Sequence, residues 1–349
     1  MDMASLSIAV TQGDSIIYQQ AFGYRILPDA QHKGEILETD DMYRIASVSK
    51  TFIATAIMRL TEEGILDINE DAQRYLTFPL RNPQFPDSVI TIKNLLTHTS
   101  GINDSRSWWK IDFINPRIDK DYYKCYSDYA PGHGYKYCNM NYALLGAVIE
   151  GATGTRFDRV VSDKIMKPLN LGGGYNVNYL DRSKLAQLYY RPKENPDTLI
   201  NDTEYYRQYR DQLIDNYTLG RSLGLEYPSS GMKITASDLA RYMMMHMYNG
   251  ELDSVRIISP ESEAMIRRNY VGSNNYGLAF REYRNFLPGR LMHGQTGGSQ
   301  GATTCMIFDP EEEIGFVILE SGAKTDFIDG YGDVHVPIAR ALYNALFAE

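Results

Sequence analysis

Strand-like alternation occurs at both ends of this 349-residue sequence, and the long middle has the character of helices and loops. Near the start, Leu6, Ile8 and Val10 alternate with smaller or polar neighbours, and Gln12-Gly13-Asp14 turns the chain into Ser15-Ile16-Ile17-Tyr18. That pattern predicts a hairpin. Near the end, Thr303–Phe308 and Ile314–Leu319 flank the turn Asp309-Pro310-Glu311-Glu312-Glu313, and 337–346 reads as a closing helix. Strands at both termini with helices between them predict one sheet assembled from the two ends of the chain. A sheet part from about 1–72 and 255–349 and a helical part from about 73–254 would then form one unit.

Within that frame the segment after Ser47 carries Val48, Phe52, Ile53, Ala56, Ile57, Met58 and Leu60 around most of a helical surface. A helix apolar nearly all round is a buried one. Gly64 supplies its stop. Two further helices are expected over 141–150 and 237–245, the second capped by Thr235 or Ser237.

Composition excludes several classes. A net charge of −9 lacks the clustered cations of a nucleic-acid surface. No stretch approaches the roughly 18 apolar residues of a membrane span. The first residues have neither a basic nor an apolar leader region. The expectation is an exported, periplasm-type protein whose signal is not part of the sequence, with a cytoplasmic location as the alternative.

The six histidines are scattered and no Cys-x-x-Cys pair occurs, so neither a metal nor an organic cofactor is expected. Three cysteines exclude a fully paired framework, although Cys125 and Cys138 could bridge under oxidising conditions. The 27 tyrosines concentrate at 122–142 and 205–227, as packing residues or as the wall of a cleft.

The chemistry-bearing pattern is Ser-x-x-Lys, and it occurs four times: Ser47/Lys50, Ser107/Lys110, Ser230/Lys233 and Ser321/Lys324. Residues i and i+3 share a helix face, so a lysine so placed can reach its serine only in a helical turn. Only Ser47 opens a long helix, whose N-terminus also offers free amides to a developing oxyanion. Ser47 alone could still be a simple cap beside a solvated lysine.

A second element is Tyr137-Cys138-Asn139, where an extended chain would aim a phenol and an amide at one place. Tyr283 and Asn285 repeat the spacing without a following helix. The third is the glycine-rich run Gln295-Thr296-Gly297-Gly298 before a predicted strand, a place where a substrate backbone could approach closely.

Taken in order, these three elements resemble the serine β-lactamase and penicillin-binding protein superfamily, in its class C-like branch. That branch includes D-alanyl-D-alanine carboxypeptidases, D-aminopeptidases and esterases. Leu95-Leu96-Thr97-His98-Thr99-Ser100-Gly101, the passage from Tyr135 to Glu150, Lys167–Leu171 and Thr235–Ala240 add to the resemblance, which runs from about residue 6 to 346.

The resemblance implies an α/β fold with a mixed, largely antiparallel sheet flanked by helices and an inserted helical subdomain. It implies a serine hydrolase acting through an acyl-enzyme on small amides, esters or D-amino-acid peptides. Class C-like hydrolysis of β-lactams and a non-hydrolysing penicillin-binding sensor are the alternatives. Ser47 would be the nucleophile, Lys50 its proton acceptor, Tyr137 a general acid/base, and Asn139 a substrate or lysine contact. The amides of Ser47 and Gly298 would form the oxyanion hole, with Gln295, Thr296 and Gly297 beside the substrate. Gln295 stands where relatives carry lysine or histidine. That neutral amide predicts weaker binding of a substrate carboxylate, with His293 as partial compensation when protonated.

Overall fold

The structure is a computed structural model that describes residues 3–107, 110–201, 216–225, 227–299, 301–328 and 330–347. Trp108, Trp109 and much of the second tyrosine concentration (205–227) therefore lie outside the described residues.

The predicted hairpin is present as β1 (Ser5–Gln12) and β2 (Ser15–Ile26), turning at Gly13, whose φ of +59° suits a residue without a Cβ. With β3 (Glu35–Ile36), β4 (Arg281–Tyr283), β5 (Met292–Ser299), β6 (Ala302–Asp309) and β7 (Ile314–Ser321) it forms one sheet, ordered β4-β5-β6-β7-β1-β2-β3. Every ladder in it is antiparallel. The two chain ends meet where β1 pairs with β7, Ile8 opposite Ile318 and Val10 opposite Phe316. That pairing is what the terminal alternation required.

Both sheet faces are covered. Ile8, Val10, Cys305, Ile307, Phe316 and Ile318 pack together with Ala339 of the closing helix α4 (His335–Phe347). Ala9, Met306, Phe308, Val317 and Leu319 belong to the larger cluster with the helices. Alternate residues of one strand thus feed two cores, as a period of two dictates.

Helix α1 (Ser49–Glu62) is buried from Ser49 through Met58. Its Phe52 ring stacks on Tyr242 with centroids 3.8 Å apart. Tyr242 lies on α3 (Ala236–Met247), where Thr235 is the N-cap and accepts the Asp238 N–H at 3.0 Å. The predicted helix over 141–150 runs longer, as α2 (Asn139–Thr153).

Candidate functional site

Ser47 lies two residues before the start of α1, in a short 3₁₀ turn, Ala46–Val48. The expected single helix from Ser47 is therefore a tight turn followed by α1. Ala46 has a φ of +45°, a left-handed conformation that costs a residue with a Cβ about 1 kcal/mol or more. Surrounding structure holds it there. The Thr304 hydroxyl donates to the Ile45 carbonyl at 2.8 Å, tying β6 to the turn. Gly297 sits so close that a Cβ there would lie 2.6 Å from Ile45 O and 2.9 Å from Ser47 N. Only glycine lets β5 approach the turn this closely.

Lys50, fully buried on the first turn of α1, points its Nζ at three oxygens. They are Ser47 Oγ at 3.0 Å, Asn139 Oδ1 at 2.8 Å and the Ser229 carbonyl at 2.9 Å. Burial lowers its pKa to about 7, against an opposing pull from Asp104 and Cys138. A neutral amine has two N–H donors and one lone pair. Asn139 Oδ1 and Ser229 O can only accept, so they take the two donors. The lone pair is left for the Ser47 hydroxyl.

The rival spacings are wired differently. Ser230 Oγ accepts from Arg44 and Lys233 donates to the Tyr175 carbonyl. Ser321 Oγ accepts the Tyr189 N–H, and Lys324 pairs with Asp197 at 2.8 Å.

Cys138 is extended (φ −149°, ψ 121°), so Tyr137 and Asn139 both reach the Lys50 neighbourhood. The Tyr137 ring centre lies 5.0 Å from Lys50 Nζ and 4.4 Å from the His98 ring. Loss of water raises the phenol pKa to about 12, with the Ser47 hydroxyl and Arg281 opposing. Near neutral pH it therefore carries its proton.

One residue that the spacing arguments missed holds this corner. Asp104 accepts the backbone N–H groups of Asn139 and Met140, at 2.8 and 2.9 Å, so it caps α2. It also accepts the Asn139 side-chain N–H at 3.1 Å and the Cys138 S–H at 3.1 Å. The only available signal was its place just after the His98-Thr99-Ser100-Gly101 passage. Cys125 donates instead to the Phe113 carbonyl at 3.4 Å. All three cysteines are free and buried, so the bridge considered between Cys125 and Cys138 is not present.

His98 is buried and neutral, its pKa pushed well below the ordinary value by burial and by nearby Lys50 and Arg281. Its Nδ1 accepts the Cys138 N–H at 3.2 Å, which leaves Nε2–H to donate to Tyr276 Oη at 3.2 Å. The same phenol accepts from Gln295 Nε2 at 3.0 Å, and the second amide hydrogen goes to the Ala279 carbonyl at 2.9 Å. This corrects the expectation for Gln295. It stands in the cleft wall, but both its donors turn inward. His293 does not compensate either, since burial lowers its pKa to about 4 and keeps it uncharged near neutrality.

Ser47, Tyr137, Gln295, Thr296 and Gly298 line one cavity of about 790 Å³, together with Arg281, Tyr189 and Tyr190. Of the tyrosines concentrated at 122–142, Tyr137 lines the cavity; Tyr189 and Tyr190 belong to neither concentration. Lys50, Asn139 and Gly297 stand behind its wall. Thr296 donates its hydroxyl to the Gly330 carbonyl.

The family model for beta-lactamase matches residues 1–336. Penicillin-binding protein 4* of Bacillus subtilis is 31% identical over 173 residues, covering 47% of this chain and 36% of that protein. The chain thus spans about a third of the length of that curated relative. Among solved structures, the octameric penicillin-binding protein homologue from Pyrococcus abyssi superposes with a TM-score of 0.74 at 25% identity, covering 98% of this chain and 74% of that one. D-amino acid amidase from Ochrobactrum anthropi, solved with D-phenylalanine, gives 0.75 at 21% identity over 99% and 95% of the two chains. The fold is that of the β-lactamases and transpeptidases. No helix among the described residues is long and apolar enough to cross a membrane.

Proposed function

The chain belongs to the beta-lactamase family, and on that premise we propose that it is a serine hydrolase acting through an acyl-enzyme on small amides or esters, D-amino-acid peptides among them. The observation that carries this reading is the wiring of Lys50, whose lone pair is reserved for Ser47 by two obligate acceptors.

In the first step Ser47 Oγ bonds to the substrate carbonyl carbon while its proton passes to Lys50 Nζ. The carbonyl oxygen becomes an oxyanion facing the amides of Ser47 and Gly298 at the cleft. Tyr137, still protonated, gives its proton to the departing amine or alcohol as the carbon–heteroatom bond breaks. The phenolate then recovers a proton from Lys50. In the second step water attacks the acyl carbon, Ser47 leaves with a proton, and the acid product departs. The paired states needed, a neutral amine and a neutral phenol, match the opposite shifts of the two groups.

β-Lactams are cyclic amides and fit the same steps, so their hydrolysis is the near alternative. A D-amino acid amidase and penicillin-binding proteins among the similar chains support both amide readings. An exported location belongs to the same proposal and is checked by cell fractionation.

Intact-mass spectrometry after a fluorophosphonate, and separately a penicillin, tests the reading. One adduct on Ser47, lost in Ser47→Ala, is expected. A penicillin adduct that never clears would indicate a sensor rather than an enzyme. Labelling that persists in Ser47→Ala would end the assignment.

A further inference from the structure

Glu320 is a buried carboxyl group for which the proposed reaction has no use. It stands at the end of β7 between Thr303 of β6 and Leu6 of β1, and it is fully buried. Its Oε2 accepts the Ala323 N–H at 3.0 Å. That bond closes the turn by which the chain leaves the sheet at Gly322, a glycine with a φ of +83°. Among the described residues, Oε1 and the Thr325 hydroxyl have no hydrogen-bond partner. Buried oxygens left in that state are destabilising.

The turn carries two walls of the cleft. Ala323, Lys324, Thr325 and Asp326 line the cavity directly. A second wall hangs on the same turn, because Ser321 Oγ accepts the Tyr189 N–H at 2.8 Å and the Gly322 carbonyl accepts from Arg191 Nε at 2.7 Å.

Burial raises the pKa of Glu320 to about 7. The Thr303 hydroxyl, the Ala323 N–H and the Thr325 hydroxyl favour its charge, and the exposed Asp333 opposes it. None of these groups is a cation. His335, which starts α4, is buried and uncharged near neutrality, its pKa lowered to about 4. Lys324 turns to Asp197 at 2.8 Å, and Asp326 is exposed. A protonated carboxyl suits these surroundings. Oε2 keeps the Ala323 N–H, and an O–H on Oε1 supplies the donor that the Thr325 hydroxyl lacks. An ionised carboxyl buries a charge without a counter-charge, and water reaches it only when the turn opens.

We propose that Glu320 is a proton-operated latch that sets how often the turn over 321–326, and the two cleft walls hung on it, open to water. A carboxyl whose pKa is raised in the closed state favours closure at low pH. As the pH climbs from the ordinary carboxylate range to about 7, that advantage falls by up to about tenfold per unit, and above it no further. Lys50 loses its proton near the same pH, so the walls loosen as the base becomes competent. That consequence rests on the serine-hydrolase reading; the latch does not.

Hydrogen–deuterium exchange of the whole chain from pH 5 to 8, corrected for the intrinsic pH dependence of amide exchange, tests it. In the wild type, protection of peptides covering 321–326 and 189–191 should fall by about tenfold or more and level off above pH 7, while β1 keeps its protection. Glu320→Gln supplies an acceptor to Ala323 and a donor to Thr325 at every pH, so its protection should stay high and flat. Wild-type protection that changes less than about twofold overturns the proposal, whether or not the variant folds. So does an equal fall in β1, or the same fall in Glu320→Gln. The measurement needs no turnover, so its failure leaves the hydrolase reading standing, and absent labelling of Ser47 leaves the latch standing.

Discussion

Asp104 holds both ends of Asn139, accepting its backbone N–H at 2.8 Å and its side-chain N–H at 3.1 Å. The carboxylate decides which way the amide faces. With Nδ2 committed to Asp104, Oδ1 is presented to Lys50 Nζ. The charge of Asp104 also favours protonated Lys50. In Asp104→Asn the amide loses its fixed orientation and Lys50 loses a stabilising charge. The acid limb of kcat/KM should move to lower pH while the plateau falls about tenfold or more. A cap weakened by about 1 kcal/mol should appear in denaturant unfolding. A lower plateau with an unmoved limb would show that the carboxylate acts on geometry alone.

The pH profile of the wild-type protein follows from Lys50. Its pKa of about 7 lies below the ordinary lysine value because burial disfavours the charge. The neutral amine is the working base, so kcat/KM for an uncharged ester should rise through about pH 7 and level off above it. Tyr137, raised to about 12, should impose no loss of activity near pH 9. Lys50→Ala should lower acylation by about 10²-fold or more. A profile flat from pH 5 to 9 would remove Lys50 from the proton transfer.

Gly297 is a steric test of the nucleophile's seat. A Cβ there would lie 2.4 Å from Thr304 Oγ1 and 2.6 Å from Ile45 O, so β5 and the Ser47 turn must separate. Gly297→Ala should slow fluorophosphonate labelling by about 10²-fold, the usual effect of displacing a reacting group by about 1 Å. The circular dichroism spectrum should stay that of the wild type. Labelling at the wild-type rate would mean that the turn can retreat without consequence.

Gln295 should behave as a structural residue. Gln295→Met keeps the approximate volume but leaves the Ala279 carbonyl without its donor, which costs about 1–3 kcal/mol. The loss should appear in the denaturant midpoint. Gln295→Lys should bring no gain in penicillin acylation, because the added charge replaces a group bonded inward. A clear gain would place this side chain at the substrate after all.

The cysteines give a direct count. Cys125 and Cys138 are each bonded to an oxygen, and burial pushes the Cys125 thiol up to about 11 and Cys138 well above its ordinary value. Unreduced protein should therefore titrate three thiols after denaturation and react slowly while folded. A count of one would establish the bridge.

Local pattern was enough for the hairpin at Gly13, the strands on either side of Asp309–Glu313 and the buried helix after Ser47. Each depends on side-chain direction within one element, which a period of 2 or 3.6 residues encodes. Tyr137 and Asn139 belong to the same class, since an extended Cys138 suffices to aim them together. Sequence periodicity carries no record of which element lies opposite, or in what register. Asp104 meets Asn139 across 35 residues, Lys50 meets the Ser229 carbonyl across 179, and Arg281 reaches the cleft through the ladder pairing it with Gly294. The inward turn of Gln295 depends on Tyr276 and Ala279 in another segment, and the free state of Cys138 on Asp104. Those contacts exist only once the segments have packed, because a hydrogen bond is chosen by the partner within about 3 Å and not by distance along the chain.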